Sequence, residues 1–111
     1  MGNWLTLIER KKIAMDAMRN GIALLCQDLQ DYVAANEGQF ILFGSAARGT
    51  FDLYSDVNII VDFRADKEAE SCRFAEESCF KHGLKPDVRS IRFCNEEFIK
   101  RIQDDAVYIN I

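Results

Sequence analysis

The sequence has little proline or glycine and lacks a long apolar run. One Pro and six Gly among 111 residues are too few for a collagen-like or disordered chain. No apolar stretch approaches the roughly 18 residues that a membrane-spanning helix needs. The first residues, MGNWLTLIERKK, also lack the features of a secretory signal. These absences favour a soluble, cytoplasmic protein with one hydrophobic core and no contact with a membrane.

Histidine and cysteine are also scarce, which limits the catalytic chemistry. His82 is the only histidine, so a catalytic triad built on histidine and a histidine-rich metal site are excluded. We interpret His82 as the C-terminal residue of a helix that ends before Gly83. The cysteines lack the short spacing of a zinc site, and we interpret them as reduced core residues, with an adventitious disulfide or a functional thiol as the alternative. They are Cys26, Cys72, Cys79 and Cys94.

Positive charge is in deficit. The chain has 14 Lys and Arg residues against 18 Asp and Glu residues, which gives a net charge of −4. Non-specific binding to nucleic acid depends on many Lys and Arg contacts to phosphates, so a nucleic acid partner is not expected. A local pocket for one nucleotide is still compatible with this charge, because net charge does not determine the chemistry of a single site.

Hydrophobic periodicity predicts an α/β domain in which helices flank a small mixed β-sheet. Residues 4–36 have helical character, and Gly21 between two apolar stripes leaves open whether they form one helix or two. We divide the chain into an N-terminal helical arm, residues 1–23, and a domain, residues 24–111. The arm, with Trp4, packs either on the core or on a partner. The other predicted elements are strands at 39–43, 56–63 and 87–93, helices at 67–82 and 95–105, and a closing apolar segment at 106–111.

A Gly-Ser pair follows the first predicted strand. Gly44 permits a sharp turn and the close approach of a ligand. If a helix begins directly after it, its free N–H groups, the Ser45 hydroxyl and the Arg48 guanidinium can bind a phosphate. The pattern is neither a Walker loop nor a dinucleotide-binding fingerprint, and a plain turn is the alternative interpretation.

Polar side chains also begin two later strands. Asp56 and Asn58 lie two residues apart, so they project from the same face of their strand. Asp87 begins the next strand, and if the two strands are neighbours, the three side chains form one oxygen-rich cluster. Oxygen ligands of this kind suit Mg²⁺, although an exposed strand end is the simpler alternative. A phosphate loop beside such a cluster suggests phosphoryl or nucleotidyl transfer.

Together these motifs resemble those of a known family. The stretch ILFGSAARGTFDLYSDVNIIVDF is similar to the signature of the minimal nucleotidyltransferases of the DNA polymerase beta superfamily, as found in HEPN/MNT toxin–antitoxin pairs. That signature is an apolar strand, Gly-Ser, about ten residues, an Asp-x-Asp strand and a third acidic residue on a later strand. The resemblance covers about residues 24–111. The matching positions are Gly44, Ser45, Asp56, Asn58 and Asp87.

The resemblance implies the nucleotidyltransferase fold and an activity. The family transfers a nucleoside monophosphate from a nucleoside triphosphate to a hydroxyl acceptor, and for this chain we expect AMP from ATP. Gly44 and Ser45 would hold the terminal phosphates, while Arg48 would either support the triphosphate or pair with an acid such as Asp52. The resemblance makes Asp56, Asn58 and Asp87 the ligands for Mg²⁺. Asp56 and Asp87 are also the catalytic residues, and Asp87 would accept the proton of the acceptor hydroxyl.

Asn58 departs from the family pattern, which has a carboxylate there. An amide oxygen can ligate one cation but cannot bridge two as a charged group does, and the formal charge of the cluster falls from −3 to −2. The loss can lower the rate by roughly 10³-fold. The chain is then either a naturally weakened or inactive member, or it carries an engineered Asp→Asn change. Asp62 lies on the same strand face but about 13 Å away, too far to replace the missing carboxylate.

Two functions therefore stay open. One is an enzyme that modifies an acceptor which no motif encodes, so that a partner protein supplies the acceptor surface. The other is an inactive binding module that covers a partner. By the resemblance, the partner in either case is a small helical toxin of the HEPN type, which the domain modifies with AMP or simply binds. A homo-oligomer is compatible with both functions.

Overall fold

The computed structural model describes residues 6–111, so Trp4 and the rest of residues 1–5 lie outside the described part. Helix α1, Leu7–Ala35, begins at Thr6, whose side chain accepts a hydrogen bond from the Glu9 N–H at 3.0 Å. The helix continues through Gly21 without a break, which settles the choice between one helix and two. A Cβ at Gly21 would lie 2.7 Å from the carbonyl oxygen of His82. Gly21 therefore allows a close backbone approach rather than marking the end of a helix.

The remaining elements follow the predicted order. Two of them end three residues earlier than predicted. Strand β3 ends at Ser90, because the Ser90 hydroxyl accepts a hydrogen bond from the Arg92 N–H and begins a 3₁₀ turn, Ile91–Phe93, and α4 ends at Ile102. Asn95 caps α4 as expected, accepting from the Phe98 N–H at 2.8 Å. After α1 come β1 (Gly38–Phe43), α2 (Ser45–Arg48), β2 (Val57–Phe63), a 3₁₀ turn (Ala65–Lys67), α3 (Glu68–Lys81), β3 (Pro86–Ser90), that second 3₁₀ turn, α4 (Glu96–Ile102) and β4 (Val107–Ile109).

The four strands form one mixed sheet in the order β3-β2-β1-β4. Strand β1 pairs antiparallel with both β2 and β4, whereas β2 and β3 are parallel. A parallel pair cannot be joined by a tight turn, so α3 makes the crossover between β2 and β3. The predicted α/β class, with a small mixed sheet flanked by helices, is confirmed.

Helices cover both faces of the sheet, so β2 is apolar on both sides. Its alternate residues Val57, Ile59 and Val61 are fully buried against α1 and α3. Ile60 points to the other face, where α4 covers it. Strands that are buried on both faces read as continuous apolar runs, which is why β2 gives the strongest strand signal in the sequence.

His82 and the cysteines behave largely as expected. His82 is the C-terminal cap of α3, and its Nε2 lies 2.7 Å from Asp28 Oδ2 of α1. All four cysteines are free thiols, and Cys79 is fully buried. Burial raises the pKa of Cys79 to about 12, so this thiol stays protonated and inert. Within residues 6–111, no helix combines the length and apolar character required to cross a membrane.

Candidate functional site

Strand register brings the two polar motifs to one edge of the sheet. The last residue of β1, Phe43, is the partner of Asn58 on β2. Asn58 is in turn the partner of Asp87 on β3. Since β1 runs antiparallel to β2 and β3 runs parallel to it, the end of β1 meets the beginnings of the other two strands. The Gly44-Ser45 pair, Asn58 and Asp87 therefore lie side by side.

The side chains of Asn58 and Asp87 project from one face of the sheet. Partners in strand register point to the same side of a sheet, so Asn58 and Asp87 share the face that carries Phe43, while Val57 is fully buried on the other. Asp56 precedes β2 by one residue and is exposed, and Asn58 and Asp87 are half-buried. The expectation that the Asp56 and Asp87 strands are neighbours is confirmed, although the chemical roles of these residues remain predictions.

The Gly44-Ser45 turn packs directly on the cluster. Gly44 has φ 81° and ψ −159°, a region that is essentially restricted to glycine. A Cβ at Gly44 would lie 2.7 Å from Asn58 Nδ2, so only a glycine lets the loop rest on this amide. Ser45 then begins α2, as expected, but this helix is a single turn of four residues. Its aligned dipoles are few, so the Gly44 backbone and the Ser45 hydroxyl are the main features that could bind a phosphate.

Arg48 is exposed at the end of α2 and forms no ion pair within the part of the chain that the structure describes. The alternative pairing with Asp52 is therefore not formed. Asp52 instead caps its own turn: its Oδ1 accepts from the Tyr54 N–H at 2.9 Å, and its N–H donates to Ser55 Oγ at 2.9 Å. Ser55 thus shapes the loop that leads to Asp56. The Arg48 guanidinium faces solvent.

Arg89 is a site residue that the sequence analysis missed. Its Nη2 lies 3.2 Å from Asp87 Oδ2, and its Cζ lies 5.6 Å and 5.5 Å from the ring centres of Phe43 and Phe98. The two-residue spacing from Asp87 predicts that Arg89 shares the face of the cluster. The position of Phe98, by contrast, depends on how α4 docks on the sheet, for which the sequence gives no signal.

The residue types at this end of the sheet are ones that a hard divalent cation would accept. They supply two carboxylates, Asp56 and Asp87, and the amide oxygen of Asn58, and oxygen ligands of this type suit Mg²⁺. Within residues 6–111 no group of three His, Cys, Asp or Glu side chains is placed to hold a metal ion. Asp62 does not join the cluster, because its carboxylate accepts from Gln39 Nε2 at 2.9 Å at the far end of β2.

The chain matches one known protein family over most of its length. The sequence model of the family described as "Nucleotidyltransferase domain" matches residues 22–109. A crystal structure from Sulfolobus solfataricus, of a protein provisionally classed as a nucleotidyltransferase, is 20% identical in sequence. The match covers 97% of this chain and 89% of that one, with a TM-score of 0.33. No curated protein matches the chain in sequence. The family match therefore carries the assignment.

Proposed function

This chain belongs to the nucleotidyltransferase domain family, and we propose that it transfers a nucleoside monophosphate, AMP foremost, from a nucleoside triphosphate to an acceptor hydroxyl. The observation that carries the proposal is the strand register, which places the Gly44-Ser45 turn beside Asn58 and Asp87 at one sheet edge. A phosphate-binding turn and two carboxylates at one point have no evident use in a domain that only packs against a partner.

The site residues have three proposed roles: to bind phosphate, to ligate the metal and to accept a proton. The backbone at Gly44 and the hydroxyl of Ser45 hold the terminal phosphates, and the exposed Arg48 guanidinium adds positive charge. Asp56, the Asn58 amide oxygen and Asp87 are the ligands for Mg²⁺, which supplies charge neutralisation at the phosphates when it is bound. The Asp87 carboxylate also accepts the proton of the acceptor hydroxyl. Most of the rate enhancement then comes from positioning and electrostatics.

A second candidate function is an inactive antitoxin-like module that neutralises a small helical protein of the HEPN type in the cytoplasm. Two observations favour it. Asn58 replaces a carboxylate in the cluster, and the first turns of α1 expose apolar side chains, with Leu7 83% and Ile8 82% exposed. In this function the domain keeps the fold and the nucleotide site but acts by covering its partner.

Label transfer from ATP carrying a labelled α-phosphate separates the two functions. The chain and its Asn58→Asp variant are each incubated with Mg²⁺, with and without a co-purifying protein. Asp62→Asn is the matched control, because it removes a carboxylate from the same strand face outside the cluster. We expect Asn58→Asp to transfer label at least about tenfold faster than the parent chain, since it restores the charge of the cluster, and we expect Asp62→Asn to match the parent.

The outcomes differ for the two functions. Label transfer by the parent chain supports the enzyme proposal. Label transfer by the Asn58→Asp variant alone supports it too, and Asn58 is then the residue that limits activity. If neither chain transfers label although both bind the co-purifying protein, the enzyme proposal is wrong and the binding module is the function.

A further inference from the structure

We infer that Arg89 is a cation built into the candidate site, and that the cluster therefore binds a nucleoside triphosphate with one divalent ion instead of two. The inference rests on the proposed function and specifies the ion content of that same site. It comes from the pairing of Arg89 with Asp87, which strand spacing allows but only the tertiary structure demonstrates.

The charge of the cluster disfavours a second divalent ion. Asp56 forms no ion pair within residues 6–111, whereas Asp87 is paired with Arg89 through Oδ2 and Nη2 at 3.2 Å. Asn58 is neutral. The four side chains together carry a formal charge of −1, whereas three unpaired carboxylates would carry −3. The nucleotide contributes the same negative charge in either case, so the less negative cluster attracts a second divalent ion more weakly.

Two aromatic rings pack against Arg89. Its guanidinium lies over the Phe43 and Phe98 rings, which contact each other edge to face with centroids 5.3 Å apart. Phe43 is only 8% exposed and directly precedes Gly44. A planar guanidinium on two aromatic faces loses little further freedom when it pairs with a carboxylate. Arg89 thus lies against the residue that leads into the Gly44-Ser45 turn, while 40% of its side chain stays exposed.

Position 58 lacks a carboxylate that could be shared between two metal ions. Two closely spaced ions normally need a charged ligand shared between them, and position 58 offers only an amide oxygen. The Asn58 side chain is also in contact with Gly44, where its Nδ2 would lie 2.7 Å from an added Cβ. The site thus has an amide where the family pattern has a carboxylate, and a guanidinium paired with Asp87, and both features lower its affinity for a second ion.

The test counts Mn²⁺ ions bound per nucleotide, using electron paramagnetic resonance with the non-hydrolysable analogue α,β-methylene-ATP. We expect one Mn²⁺ per bound nucleotide in the parent chain. Arg89→Gln frees the Asp87 carboxylate and should tighten Mn²⁺ binding roughly three- to tenfold, and the double variant Asn58→Asp with Arg89→Gln should bind two ions. Arg89→Lys retains the positive charge and should behave as the parent chain does.

Arg101→Gln is the matched control. The Arg101 Cζ lies 5.9 Å from the Phe98 ring centre, but Arg101 forms no ion pair in the described residues. The variant therefore removes a cation from the same aromatic pair without freeing Asp87, and its Mn²⁺ binding should equal that of the parent. Circular dichroism of each variant verifies that the fold is retained.

Three results would overturn the inference. Two Mn²⁺ ions per nucleotide in the parent chain would show that Arg89 does not exclude the second ion. Equal Mn²⁺ affinities for Arg89→Gln and Arg101→Gln would show that the pairing with Asp87 has no electrostatic effect on the site. A chain that binds no nucleotide would overturn both this inference and the proposed enzyme, whereas the first two results leave the proposed enzyme intact.

Discussion

At the scale of single residues, Gly44 shows how backbone conformation shapes the site. It has φ 81° and ψ −159°, and a Cβ there would meet the Asn58 amide. Gly49 has φ 77° in the ordinary left-handed region, with nothing within 4 Å of an added Cβ. We expect Gly44→Ala to lower the free energy of unfolding by about 2–3 kcal/mol and Gly49→Ala by about 1 kcal/mol. Urea denaturation of both variants measures the difference, and equal losses would contradict the proposed contact with Asn58.

Asp28 gives a residue-scale prediction about pH. Burial pushes the pKa of this carboxyl upward, but hydrogen bonds from Ser78 and His82, together with Lys81, outweigh it and hold the pKa below its usual value of 3.8. A lowered pKa in the folded state stabilises the protein above the unfolded-state value, and this stabilisation is lost as pH falls through the folded-state value. Asp28→Asn should therefore cost roughly 1–3 kcal/mol at neutral pH and less at about pH 3.

The measurement is urea denaturation of the parent chain and Asp28→Asn at pH 7, 5 and 3. Other carboxyl groups also titrate in acid, so the informative quantity is the difference in unfolding free energy between the two chains at each pH. A difference that stays constant down to pH 3 would show that the Asp28 hydrogen bonds do not depend on its charge.

At the scale of elements, helix α1 tests whether propensity or packing decides the effect of a substitution. Alanine is favoured over glycine inside a helix by about 1 kcal/mol, so Gly21→Ala should stabilise an isolated α1. In the folded chain a Cβ would lie 2.7 Å from the His82 carbonyl oxygen, a backbone atom that cannot rotate away. We therefore expect a net loss of about 1–2 kcal/mol in unfolding free energy, because overpacking outweighs propensity.

Asn20→Ala is the control for this prediction, since Asn20 is the exposed neighbour of Gly21 in the same helix. It should gain roughly 0.5 kcal/mol from helix propensity alone. Thermal or urea denaturation of the two variants gives opposite signs if the close approach of α1 to the chain at His82 is correct. Stabilisation by both variants would mean that α1 and the chain at His82 can move apart without a loss of unfolding free energy.

At the scale of the whole molecule, the first turns of α1 extend beyond the hydrophobic core. Its 29 residues span about 43 Å, and its first buried residue is Gly21. Leu7 and Ile8 are more than four-fifths exposed. Replacing both with Gln should change the unfolding free energy by less than about 0.5 kcal/mol. It should weaken co-purification of a partner if the arm is the docking element of the second candidate function.

Leu29→Ala is the contrasting variant for this measurement. Leu29 is fully buried on the same helix, so its truncation should cost about 2–5 kcal/mol. A loss above about 1 kcal/mol for the Leu7 and Ile8 variant, measured by the same denaturation series, would contradict the description of this end of α1 as an unpacked extension.

Local sequence patterns were sufficient to predict the class of the fold and to single out the two motifs of the candidate site. Period-2 and period-3.6 apolar patterns predicted the strands and helices in order, because burial of alternate or spaced side chains is a local consequence of backbone geometry. Both site motifs could also be recognised in the sequence, since each lies within a few residues of a strand end. They are the Gly44-Ser45 pair and the polar positions Asp56, Asn58 and Asp87.

Long-range packing sets which of these residues meet and which partners each one has. Strand order and register are non-local, so the pairing of Asn58 with Phe43 and Asp87 could not follow from spacing. The same holds for Arg89, whose place depends on how α4 docks Phe98 against the sheet. The continuity of α1 through Gly21 was settled by a backbone contact with His82, which lies 61 residues away in the chain. Such contacts depend on long-range packing, which local sequence patterns do not encode.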